Sequence, residues 1–279
     1  MLKKFADDTK GAKVIRSLQD NHVMQEVISK LCDWATNWSM KFNVSKCKVM
    51  HLGKKNPNFQ YTMEGKQMIT TEEERDVGVL IHRSLKPSKQ CAQAATKANQ
   101  VLGQISRAFH FRDRYTFVRL YKQYVRCHLE FAVCAWNPWS TADIETLEKV
   151  QIRAVKMVSG LQGTYHEKLI ELNLQTLEAR RTRADMIQTF KIIHGFDRVD
   201  KNIWFNFVIE RDRVTRSTQD ELNLIKPVAK LDIRKNFYSH RIVDTWNNIP
   251  YDVKRASNPK KFKDMYDKIL RVPVAASQT

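Results

Sequence analysis

The stretch KPSKQCAQAATKANQVLGQISRAFH, residues 86–110, divides the chain into two kinds of sequence. Beyond Pro87, Cys91, Ala94, Ala98, Val101, Ile105 and Phe109 recur at steps of three and four, which is one arc of a helix. Lys97, Gln100, Gln104 and Arg107 occupy the opposite arc. Sequence before this stretch reads mainly as short extended segments, and sequence after it reads mainly as helices. The pattern predicts an α+β chain, with a small antiparallel sheet and one helix first and a mostly helical remainder.

Working back toward the start, KKF (3–5) and AKVI (12–15) read as short strands around the adjacent aspartates Asp7 and Asp8. Val23, Val27, Leu31, Trp34 and Trp38 then define a helix, with both tryptophans expected as anchors between helix and sheet. CKVMHLG (47–53) is a strand, and FQYTM (59–63) and QMIT (67–70) form a hairpin across Glu64-Gly65. Glu72 to Glu74 reads as an acidic loop before DVGVLI (76–81) resumes extended structure.

Working forward, residues 112–136 place Leu120, Tyr121, Tyr124, Val125, His128, Phe131 and Ala132 inside. Arg112, Arg119, Lys122 and Arg126 fall outside. Ser140-x-x-Asp143 is an N-terminal capping signal, and Gly160 follows the end of that helix. A further helix runs from Thr176 to Gly195. The signal is weak from 196 to 232, where loops and a short hairpin are expected, and helices near 237–247 and 259–271 close the chain. The expected division is 1–84, 85–160 and 161–279.

The chain has 279 residues and a net charge of +18. Residues 1–96, 97–198 and 199–279 each hold 16 basic and 10 acidic residues, +6 apiece, so the charge is spread through the body and not collected in a tail. That distribution suggests a polyanionic partner, most simply nucleic acid. The five cysteines contain no C-x-x-C, and Cys127-His128 with Cys134 lacks a fourth metal ligand at suitable spacing. Reduced thiols and an N-terminus without an apolar core segment predict an intracellular protein, nuclear or cytoplasmic, neither secreted nor membrane-bound. No small-molecule cofactor is expected.

Adjacent aspartates between two short strands also have a chemical reading. Nucleotidyl transfer commonly employs two divalent ions, held by carboxylates converging from several strands. Phe5-Ala6-Asp7-Asp8-Thr9, the helix ending Trp34-x3-Trp38-x-Met40-x-Phe42-Asn43, and Lys46-Cys47-Lys48-Val49-Met50-x2-Gly53 resemble the reverse transcriptase of non-LTR (LINE, jockey-like) retrotransposons. Leu129-Glu130-Phe131-Ala132, Trp136-Asn137-Pro138, Leu147-Glu148-Lys149-Val150-Gln151-x-Arg153-Ala154 and Trp246-Asn247-x-Ile249-Pro250 resemble the same family. The similarity runs in order along nearly the whole chain.

The resemblance implies that Asp7 and Asp8 belong to a polymerase palm and hold magnesium. It also implies a helical thumb along nucleic acid, followed by a C-terminal region. Lys97, Arg107, Arg112, Arg119, Lys122 and Arg126 are then the candidate phosphate contacts, with no base readout. The family's third metal-binding aspartate and its fingers lie upstream of the pair, and no other segment here supplies a matching carboxylate. The expectation is therefore a palm remnant, inactive on its own. The alternative is a non-enzymatic nucleic-acid-binding protein derived from the element.

An incomplete metal site predicts that the chain will not extend a primer on RNA or DNA templates with magnesium or manganese. Template-dependent synthesis that disappears in the Asp7→Ala, Asp8→Ala double variant would refute this.

Overall fold

A computed structural model of the chain describes residues 2–5, 8–53, 55–208 and 220–271. It is α+β, and it separates into two compact units, Met1–Lys86 and Pro87–Thr279.

In the first unit, β1 (Leu2–Phe5) and β2 (Asp8–Gly11) form an antiparallel hairpin that pairs Phe5 with Asp8. Helix α1 (Leu18–Asn37) follows a complete capping box. The Ser17 hydroxyl accepts from Asp20 N, and the Asp20 carboxylate accepts from Ser17 N at 3.0 Å and from Arg16 N at 2.9 Å. The Arg16 N–H first, then the Lys13 ammonium 3.3 Å away, and lastly the Ser17 bonds hold the Asp20 carboxyl down at about 2.

The face of α1 that packs is not the face predicted. Ile28 and Ala35 are buried, and Ile28 packs with Met24 and Cys32 against Phe59, Tyr61 and Met63. Trp34 and Trp38 are 40% and 68% exposed and do not anchor the sheet. At 3.6 residues per turn the two arcs are about 100° apart. Polar bonds select between them. The buried Asn21 Oδ1 accepts from the Tyr61 hydroxyl at 3.1 Å. The Gln25 amide both donates to Thr62 O at 2.8 Å and accepts from Thr62 N at 2.9 Å, acting as a strand partner to that backbone. Apolar periodicity cannot register either contact.

A 3₁₀ turn over Val44–Lys46 leads to β3 (Lys48–Val49). β4 (Thr62–Met63) and β5 (Lys66–Gln67) form the hairpin expected at Glu64-Gly65, with φ of +49° and +73° at those positions. β6 (Ile69–Thr70) runs parallel to β3. β7 (Glu73–Asp76) and β8 (Val79–His82) pair antiparallel around Val77 and Gly78. The expected acidic loop is thus partly a strand, and Glu74 pairs with Lys48 at 3.0 Å. The single antiparallel sheet that was expected is, among the described residues, four separate two-stranded ladders, one of them parallel.

The second unit is helical. Helix α2 (Ser88–Ala108) buries Cys91, Ala94, Ala95, Ala98, Leu102 and Ile105. Leu102 takes the place assigned to Val101, and Phe109 lies beyond the helix end, 40% exposed. α3 (Arg114–Leu120) passes into a π-helical turn over Tyr121–Val125 and then α4 (Arg126–Glu130). Phe117, Tyr121, Val125 and Leu129 are all buried. Three steps of four residues would drift about 120° on a regular helix. One π turn adds a residue to the winding and rotates the later positions back by about 100°, so the four stay on one side. Tyr124 and Phe131, predicted inside, are each 54% exposed for this reason. Ala132, also predicted inside, is exposed, and at φ +50° it breaks the helix before α5 (Val133–Trp136).

α6 (Thr141–Lys156) starts at the predicted cap, where Ser140 accepts from Asp143 N. α7 (Tyr165–Glu171) was not anticipated, although Thr164-x-x-Glu167 forms a complete capping box. Gly163 is required there: its φ is +97°, and an added Cβ would lie 2.6 Å from Glu167 Oε2. α8 (Leu177–Ile193) is capped by Thr176. The fully buried Gln151 links these helices. Its Oε1 accepts from the Tyr121 hydroxyl at 2.6 Å, and its Nε2 meets the Tyr165 hydroxyl at 2.9 Å and donates to Gln175 O at 3.0 Å. Glu148 bonds the Tyr165 hydroxyl and accepts from Leu177 N at 3.1 Å, at the start of α8.

α9 (Lys201–Trp204) precedes a bridge between Phe207 and Leu224. α10 (Asp232–Lys235), α11 (Tyr238–Arg241), α12 (Val243–Asn247), α13 (Tyr251–Lys254) and α14 (Pro259–Arg271) complete the unit. Phe190, Trp246, Phe262 and Tyr266 build its second core, with the Phe190 and Phe262 rings 4.4 Å apart. Inside it Asp185 accepts from Arg241 Nε at 2.8 Å and Nη2 at 2.9 Å. Asn137 donates to the same carboxylate at 3.1 Å, and Arg241 Nη2 also reaches Cys134 O at 2.8 Å.

Removing one partner of a buried ion pair strands the other charge. Asp185→Ala is expected to lower unfolding stability by about 3–5 kcal/mol, measured by urea denaturation. A loss under about 1 kcal/mol would show that Arg241 finds another partner or water.

Candidate nucleic-acid interface

The six basic residues proposed from sequence lie in different local settings. Lys97 and Arg107 are exposed on α2 and make no ion pair among the described residues. Arg112 is engaged with its own unit. Its guanidinium donates to Met157 O at 3.0 Å, Phe109 O at 2.8 Å and Ser106 O at 3.3 Å, while its carbonyl accepts from Ser159 N at 2.9 Å. It therefore fixes the loop between α2 and α3. Arg119 lies over the Tyr115 ring at 5.2 Å and donates to the Tyr115 hydroxyl at 2.8 Å.

Lys122 and Arg126 sit in a crowd of cations. The Lys122 amine is pushed below its ordinary value by partial burial, and then by Arg126 and Arg180. Burial also lowers Arg126, while Glu130, 3.4 Å away, favours its charged form against Arg180 and Arg183. Arg180 grips the same Glu130 through Nε and Nη2, and this bond holds it above the ordinary arginine value. Arg183 grips Asp267 of α14 with the same fork, at 2.5 and 2.8 Å. Arg181 turns inward and is 2% exposed.

Beside this group is a cleft of about 290 Å³. Val133 and Ile187 line it together with Arg180, Arg183, Lys191 and Lys263. Lys191 is 3.9 Å from Asp197, and Lys263 makes no ion pair among the described residues. Two sequence-predicted residues, Lys122 and Arg126, thus join Arg180 and Arg183, which the sequence allowed equally as phosphate contacts or as a solvated helix face, and Lys191 and Lys263, which sequence reasoning did not consider. For three of the four, Arg180, Arg183 and Lys191, the signal lay in their spacing with Ile187 on one side of α8, opposite its buried Arg181, Asp185 and Thr189, whereas Lys263 comes from α14.

Asp8 is exposed in β2, and Asp7 lies outside the described residues. Among the described residues no group of three or more His, Cys, Asp or Glu side chains converges as a metal site. Burial pushes the Cys91 and Cys134 thiols up to about 12, which keeps them protonated. Among the described residues no helix is long and apolar enough to cross a membrane. No protein-family model, curated protein or solved structure matches the chain.

Arg112 is expected to act on stability. Arg112→Gln should cost about 2–3 kcal/mol, since three charge-assisted bonds to backbone carbonyls are removed together. Thermal unfolding measures this, and an unchanged midpoint would show that the loop holds without it.

Proposed function

We propose that the protein binds nucleic acid through its phosphate backbone, along the cationic face that runs from the π turn to α8 and α14. We further propose that it descends from the reverse transcriptase of a LINE-type element. On this reading Met1–Lys86 corresponds to palm, and the helices from α2 onward correspond to thumb and C-terminal region. The pair Asp7 and Asp8 is the palm's metal-binding pair, with magnesium as its ion and with synthesis depending on groups beyond this pair.

One observation carries the binding claim. Lys122, Arg126, Arg180, Arg183, Lys191 and Lys263 gather around three partner carboxylates, Glu130, Asp197 and Asp267. A surplus of cations this close together is costly without an anion to share, and a phosphate backbone supplies one at each nucleotide. The forked bonds to Glu130 and Asp267 hold two guanidinium planes in fixed directions, which limits the ordering cost of meeting phosphate. Ancestry rests on the sequence resemblance. Of the residues behind it, Glu130, Glu148, Gln151 and Asn247 each make buried or half-buried bonds within the helical unit.

The triple variant Lys122→Gln, Arg126→Gln, Lys263→Gln should weaken binding to an oligonucleotide. It should also flatten the salt dependence, by about 0.9 in log affinity per log salt for each duplex phosphate that is no longer neutralised. Fluorescence anisotropy across a salt series reads both quantities. A folded triple variant with the same affinity and slope would remove this face from the site.

A further inference from the structure

We infer that residues 107–126 bind single-stranded nucleic acid, with unpaired bases stacking on Phe111 and Tyr115. This rests on the nucleic-acid reading above and adds to it the form of the partner. The exposure of the aromatic side chains carries it. Phe111 is 75% exposed and Tyr115 71%, and Tyr124 is 54% exposed in the π turn. Exposing rings of this size forfeits about 1.5–3 kcal/mol of burial apiece.

The neighbouring charge identifies the partner. From Arg107 to Leu129 the chain has six basic residues, Arg107, Arg112, Arg114, Arg119, Lys122 and Arg126, and one acidic residue, Asp113. The Asp113 carboxylate is occupied at the start of α3, accepting from Thr116 N at 2.9 Å. Rings interleaved with cations in this way match a polyanion that carries flat apolar groups, which is a nucleic-acid strand with its bases free. A duplex keeps its bases stacked on one another and offers such rings only its outer surface.

Local geometry prepares the contact. Arg112 pins the loop around Phe111 through three carbonyls, so the ring is presented from a fixed backbone. Arg119 is already held against Tyr115, by the 2.8 Å bond and across the ring face at 5.2 Å. The guanidinium thus covers one face of the Tyr115 ring and leaves the other for a base, with the adjoining phosphate within reach of the same cation.

The test uses the full chain and three ligands of equal length at one salt concentration: a thymidine homopolymer, its abasic counterpart and a duplex. Phe111→Ala with Tyr115→Ala should weaken homopolymer binding by about tenfold per ring and leave the abasic strand and duplex unchanged. Leucine at both positions, which keeps apolar bulk without a ring, should behave like alanine. Both sites are exposed, and circular dichroism checks that the variants fold. A homopolymer-to-abasic ratio that is the same in wild type and variants overturns this inference and leaves the backbone-binding proposal standing. Failure of all three ligands to bind overturns both. If sedimentation shows the aromatic variants dissociating a dimer while homopolymer affinity is unchanged, the rings serve self-association and the inference is overturned.

Discussion

Asp185 and Arg241 meet within the helical unit, where leaving either without the other would strand a buried or half-buried charge. A carboxylate with side-chain exposure of 5% requires a cation and several donors, and Arg241 and Asn137 supply them from two other parts of the unit. Cys134 O and Asn236 O take two further guanidinium donors. The pair therefore sets the rotation of α8 about its own axis. With Arg181, Asp185 and Thr189 turned inward, Arg180, Arg183, Ile187 and Lys191 must point the other way. The surface arginines and the buried aspartate are one decision, made by helix geometry. Replacing such a pair with apolar residues is often neutral or stabilising elsewhere, so its value here lies in fixing orientation.

A similar economy governs the polar residues buried in the helical unit. Glu148 reaches the backbone N–H of Leu177, where α8 begins and has no intrahelical acceptor to offer. Gln151 satisfies both ends of its amide inside the core. Asn247 clamps Leu224 through its N–H at 2.8 Å and its carbonyl at 2.9 Å, so a short loop gains the bonds of a strand. Lys254, 1% exposed, is surrounded by Asp220, Asn223 and Asn247 O. Such residues hold the helices and loops of this unit in register with one another.

The sequence was most legible where a local rule acted alone. The Glu64-Gly65 hairpin, the Ser140 cap and the limits of α8 follow from turn and cap chemistry within a few residues. The inner face of α1 did not, because two apolar arcs competed and distant partners, Tyr61 and Thr62, chose between them. Tyr124 and Phe131 were misplaced because a constant helical period does not hold across a turn with a different one. The basic residues on α3 and α4 could be read as an outer face. That Arg180 and Arg183 join Lys122 and Arg126 depends on pairings between segments distant in sequence, such as Arg180 with Glu130, and no local pattern encodes them.

The π turn is the point at which residues 114–130 can change length without turning their buried face. On either side of it the buried positions ask only for a large apolar group, and many sequences would satisfy that. Remove one residue between Tyr121 and Val125, and the wide turn closes to an ordinary one. Leu129, Arg126 and Glu130 would keep their present sides, because the residue lost from the winding and the wide turn lost with it each amount to about 100° and cancel. The segment is thus strict about which side each residue faces and lenient about one unit of its length. Over generations this turn is where a single codon could come or go without turning the face that follows.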